Sequence, residues 1–179
     1  MRMNLPELWS LDRRGLAATL SSGFPIEIER LRGASYRGVS LGLPALVERA
    51  TWKTFRKQMF PGSPGSPLLG HNVRLVQSDR LEPIRKGDPR APVMQRGGRD
   101  WTFGPFRAVE LPRDRYPCRG GVLLDYGAEH PVYHPLSRLR DPVVALVEGS
   151  TELLFGASYL DVFGRVIATP SFFTLELED

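Results

Sequence analysis

A mainly β fold, a single antiparallel meander β-barrel behind an N-terminal helix and one further short helix, is what the sequence predicts, on three observations. Short segments rich in β-branched and aromatic residues recur at near-even spacing from residue 71 to the end, each bounded by turn-forming residues. Helical periodicity is confined to the first third of the chain. The composition, 41% hydrophobic and 25% charged over 179 residues with a mean hydropathy of −0.23, is that of one soluble globular unit. Residues 1–179 therefore read as one domain, with the N-terminal helix within 1–22 and the barrel over 30–178.

The elements follow in order. Leu5, Leu8, Trp9, Leu16 and Leu20 make an apolar stripe over residues 5–20, with Ser10 and Asp12 as an alternative start for a shorter helix. Gly23-Phe24-Pro25 ends it, and such a helix can plug one end of a barrel. The glycines of the short run Gly33-Ala34-Ser35-Tyr36-Arg37-Gly38-Val39-Ser40 suggest a strand bounded by tight turns. Pro44 suits the first turn of a short helix over 45–50. Residues 52–60 fit either a helical stripe of Trp52, Phe55 and Met59 or a strand.

Pro61-Gly62-Ser63-Pro64-Gly65-Ser66-Pro67 is a loop by composition, without the Gly-Lys-Ser/Thr ending that a phosphate-binding loop needs. A second irregular stretch, 82–99, is strongly basic and reads as a surface connection or a lid. Strands are expected over 71–77, 101–111 with a bend at Gly104-Pro105, 121–126, 143–148, 152–161 and 171–178. Residues 147–153 carry a hairpin signal. In the last strand Phe173, Leu175 and Leu177 alternate with Thr174, Glu176 and Glu178, the pattern of a half-buried strand.

Several function classes are disfavoured at this level. No run approaches the roughly 20 apolar residues of a membrane-spanning helix, and residues 1–10 lack the apolar core of a secretory signal, so a cytoplasmic location is expected. The lone Cys118 excludes an intrachain disulfide. Residues 1–100 carry 17 Lys or Arg against 9 Asp or Glu, and residues 101–179 carry 7 against 11. The basic residues are scattered rather than set in a stripe interleaved with aromatics, so nucleic acid is not the expected partner. A basic loop over 82–99 leaves a salt-sensitive interaction module as a further reading.

No catalytic signature stands out. His130 and His134 have the spacing of two metal ligands on a helix, but Pro131 breaks that helix, and neither a metal nor a cofactor is implied. No Gly-x-Ser-x-Gly elbow occurs. Arg119 next to Cys118 would lower the thiol's pKa if the loop held them together. Within a barrel, sites are apolar walls with a few placed polar groups. Tyr126, Asp125, Tyr159 and His71 are the candidate catalytic side chains, although Asp125 and Tyr126 point to opposite faces of a regular strand.

Three stretches together resemble the lipocalin-like (calycin) families of small bacterial proteins with a GXWXG motif. Gly33-Ala34-Ser35-Tyr36-Arg37-Gly38 is similar to the glycine-aromatic-glycine first strand, with Tyr36 in the place of the tryptophan. Trp52-Lys53-Thr54-Phe55-Arg56-Lys57 resembles the segment after it, without the family's glycine. Leu153-Leu154-Phe155-Gly156-Ala157-Ser158-Tyr159 and Pro170-Ser171-Phe172-Phe173-Thr174-Leu175-Glu176 resemble the closing hairpin. The resemblance implies a barrel over about 30–178, in largely uncharacterised families. Haem-binding relatives use a histidine late in the chain, and here none follows His134.

The expected function is binding of a small hydrophobic or amphipathic molecule, lipid-like or secondary-metabolite-like, in the barrel cavity. Tyr36, Arg37, Trp52, Phe55, Arg56, Arg107, Tyr126 and Tyr159 are the expected ligand-binding residues, and Arg37, Lys53, Arg56 and Arg107 would meet a carboxylate head group. An isomerase or cyclase acting on a metabolite within the same barrel is the alternative.

Overall fold

The computed structural model describes residues 5–42, 53–76 and 92–178. Its centre is a closed eight-stranded antiparallel barrel. The barrel strands are β1 (Ser35–Leu41), β2 (Thr54–Met59), β3 (Leu68–Arg74), β6 (Thr102–Glu110), β7 (Val122–Asp125), β8 (Leu139–Ala145), β9 (Leu153–Val162) and β10 (Arg165–Leu177). Around the wall the order is β1-β10-β9-β8-β7-β6-β3-β2, so each barrel strand pairs with the barrel strands before and after it in the chain and β10 returns to β1 to remove both edges. Between β3 and β6 a hairpin of β4 (Gln95–Arg96) and β5 (Arg99–Asp100) stands apart, occupying part of the stretch expected to be irregular.

Alternation along the strands produces two cores. Tyr36, Met59, Leu68, Phe106, Val122, Leu124, Val143, Leu154 and Leu175 pack inside the barrel. Val39, Leu41, Leu123, Val144, Phe155 and Phe172 face outward and are covered by Leu8, Leu16 and Leu20. The N-terminal segment thus sheathes the wall instead of plugging an end. It is two helices, α1 (Leu5–Ser10) and α2 (Arg13–Ser22), because Asp12 caps the second by accepting the Gly15 N–H at 2.8 Å. Closing an end falls to the segment after Gly23. Its 3-10 turn, Ile28–Leu31, and the preceding Ile26 carry Ile26 and Leu31 into the inner core.

Residues 52–60 resolve in favour of a strand, β2, over its described part. The short helix expected over 45–50 lies outside the described residues, as do Trp52 and 82–91 of the basic stretch. The expected bend at Gly104-Pro105 coincides with a register shift between β3 and β6 at Gly70/Asn72, and Gly104 has a φ of 53°. Both β8 and β10 begin earlier than expected, at Leu139 and Arg165, and β10 carries an irregularity between Ala168 and Phe172. Among the described residues no helix is long and apolar enough to cross a membrane.

Candidate functional site

Apolar layers fill the barrel from the end closed by Ile26 and Leu31 to about its middle, and beyond them lies a cavity of about 510 Å3. Phe55, Phe103, Tyr126, Phe173, Leu136 and Leu139 supply most of its wall, with hydroxyls from Ser40, Ser158, Thr169 and Ser171. Thr169 is held by donating to the Ser158 carbonyl at 2.7 Å, across the irregularity in β10.

Charge stands at the base of this apolar space. Lys57, Asn72, Tyr126 and Asp141 all border the cavity and all project inward from β2, β3, the end of β7 and β8. They are 3%, 4%, 2% and 3% exposed. The Lys57 ammonium donates to Tyr126 Oη at 2.6 Å, Asn72 Oδ1 at 3.0 Å and Asp141 Oδ2 at 3.3 Å. Tyr126 donates its own proton to Asp141 Oδ2 at 3.2 Å. Asn72 Nδ2 donates to the Gly104 carbonyl at 3.0 Å and to Tyr126 Oη at 3.2 Å. Asp141 Oδ1 is buried and has no hydrogen-bond partner.

Four rings surround the cation. The centroids of Phe173, Phe55, Tyr126 and Phe106 lie 5.1, 5.3, 5.3 and 5.4 Å from Lys57 Nζ, within cation–π range. Three of the rings rest on glycines in the neighbouring strand: Phe55 faces Gly38, Phe106 faces Gly70 and Phe173 faces Gly156 in the register of the sheet. A Cβ on these glycines would sit 2.4, 2.7 and 2.3 Å from ring atoms. The glycines are therefore required for space, and they let each ring lie down over the strand beside it.

Burial pushes the Lys57 amine below its ordinary pKa, against the opposing pull of Asp141. Burial, reinforced by the Asp141 charge, pushes the Tyr126 phenol well above its ordinary range, so it remains a proton donor. Together the four side chains form a proton-connected, overall neutral cluster at the edge of an aromatic cavity.

Of the residues expected to form the site, Phe55 and Tyr126 border the cavity. Tyr36 points inward but is enclosed in the apolar core toward the closed end. Trp52 lies outside the described residues, and Asp125, Tyr159, His71, Arg37, Arg56 and Arg107 face away. Asp125 accepts from the Gly127 N–H at 2.7 Å and pairs with Arg140 at 3.1 Å. Tyr159 belongs to the outer core against Tyr116, their rings 5.3 Å apart, and His71 packs on Phe60 at 5.0 Å. Arg37 and Arg56 bind Glu178, and Arg107 binds Glu129 at 3.0 Å. The outward arginines therefore do not meet a head group inside the barrel. Lys53 is buried and does not border the cavity.

The remaining candidates are accounted for locally. Burial pushes the Cys118 thiol up to about 11, the reverse of activation by Arg119. His130 and His134 stack on each other at 4.3 Å, and no group of three potential metal ligands occurs among the described residues.

Sequence reasoning passed over Lys57 and Asp141. Each nonetheless left a signal, a charged residue in phase with an apolar face: Phe55-x-Lys57-x-Met59 and Leu139-x-Asp141-x-Val143. No family model matches the chain, and a search of curated proteins finds no significant match.

Proposed function

We propose that the barrel binds a small, predominantly apolar molecule whose polar end meets the Lys57–Asn72–Tyr126–Asp141 cluster. The observation that carries this reading is the pairing of an aromatic-walled cavity of about 510 Å3 with one convergent polar group at its base. Stability alone gives little reason for such a group, since replacing a buried ion pair by apolar side chains is often neutral or stabilising. The likeness to lipocalin-like GXWXG proteins fits the same reading.

A neutral solvatochromic dye tests it. Nile red is expected to brighten on binding the protein, and Ser158→Phe, which fills the cavity, is expected to weaken that binding by about tenfold or more while the melting temperature holds. An undiminished signal in the Phe variant, or none in the parent protein, overturns the proposal.

A catalytic reading stands second, an isomerase or cyclase acting on a metabolite in the same cavity. It is favoured by the direct proton connection between Lys57, Tyr126 and Asp141, the arrangement that general acid–base chemistry uses.

A further inference from the structure

We infer that the head group this cavity takes is a neutral hydrogen-bond donor, an alcohol hydroxyl, delivered to Asp141, and that carboxylates are refused. The inference rests on the binding reading above and adds the chemical class of the ligand.

It follows from counting protons. An ammonium has three N–H donors, a phenol one and a primary amide two. All three of Lys57 are committed, to Asn72, Tyr126 and Asp141. The single proton of Tyr126 goes to Asp141, and the two of Asn72 go to Gly104 and Tyr126. The cluster has no donor left over, whereas Asp141 Oδ1 is an unused acceptor. A ligand can satisfy it only by giving a proton.

Charge narrows the class. Lys57 and Asp141 already neutralise each other, so a carboxylate would be desolvated with its negative end toward an unpartnered carboxylate oxygen. A protonated amine would bring a second cation beside Lys57. A hydroxyl carries neither penalty, and its bond to an ionised acceptor is among the stronger neutral-ligand contacts. The arginines that could have compensated a carboxylate are on the outer surface, paired with Glu178 and Glu129.

Three probes of equal chain length isolate the head group: decanol donates a proton, decanal only accepts, and decanoate at pH 8 only accepts and is charged. Each is titrated against Nile red bound to the protein. Decanol is expected to displace the dye at a concentration about tenfold or more below either of the others. Asp141→Asn, which keeps the shape of the side chain, is expected to reduce that preference to within about threefold, the scale of an ordinary hydrogen bond. Should this variant not fold, the series on the parent protein decides the matter. Decanoate or decanal equal to or tighter than decanol overturns the head-group assignment and leaves cavity binding standing. A dye that binds but that no probe displaces overturns it as well, while a protein that never binds the dye removes the binding reading and this inference with it.

Discussion

At the scale of single residues, the most consequential feature is a lysine and an aspartate placed where the barrel's periodicity calls for apolar side chains. Lys57 lies between the inward-facing Phe55 and Met59, and Asp141 between Leu139 and Val143. Both side chains are almost fully buried, so each depends on the other and on Tyr126 and Asn72 for most of its solvation. Removing one partner strands the other. Lys57→Met and Asp141→Leu are each expected to cost about 3–5 kcal/mol, and the double variant to return to within about 1–2 kcal/mol of the parent or exceed it. Denaturant unfolding of the three variants measures this directly. Single variants within about 1 kcal/mol of the parent would mean that the pair is hydrated in solution.

At the scale of elements, the aromatic enclosure is a property of strand pairs. Gly38 with Phe55, Gly70 with Phe106 and Gly156 with Phe173 repeat one device, a glycine whose missing side chain makes room for the ring across from it. Gly38→Ala or Gly156→Ala is expected to push the opposing ring toward the cavity, costing about 1–3 kcal/mol and weakening dye binding. Unfolding and titration on the same samples check both effects, and a destabilised variant with unchanged affinity would detach the rings from the site. The alternation of strands and the glycine-aromatic-glycine opening were legible in the sequence because both are local. The pairing of those glycines with phenylalanines was not, since it depends on the register between paired strands, which the alternation within each strand leaves open. Lys57 was hidden because residues 52–60 fitted a helix as well as a strand, and in the helical stripe of Trp52, Phe55 and Met59 Lys57 falls off the apolar face. Asp141 was hidden because the expected strand started at Val143, two residues past it, whereas β8 begins at Leu139. The outward side of the arginines went unread for a related reason: composition reports their number, and only the phase of each strand reports their side.

At the scale of the whole molecule, the barrel closes where its first strand meets its last, and one carboxylate gathers the seam. Glu178 accepts from Ser35 and Arg37 of β1 and from Arg56 of β2, while its own N–H donates to the Ser35 carbonyl at 2.8 Å. Desolvation raises the Glu178 pKa, but the hydrogen bonds from Ser35 and Arg37 and the charges of Arg56 and Arg37 outweigh it, leaving the carboxyl below its ordinary value of 4.5. A depressed folded-state pKa means that the unfolded chain takes up the proton first as pH falls. The stabilisation is therefore complete above the ordinary carboxylate range and disappears as pH drops through the folded-state value. Glu178→Gln is expected to lower stability at pH 7 by about 1 kcal/mol or less, since the group is partly solvated, and added salt should shrink the difference. The gap between parent and variant should narrow steadily in urea titrations repeated at increasingly acid pH. A gap that stays constant into acid would assign the seam to its backbone ladder and the Ser35 hydroxyl, and the arginines of β1 and β2 would then be free to serve the outer surface alone.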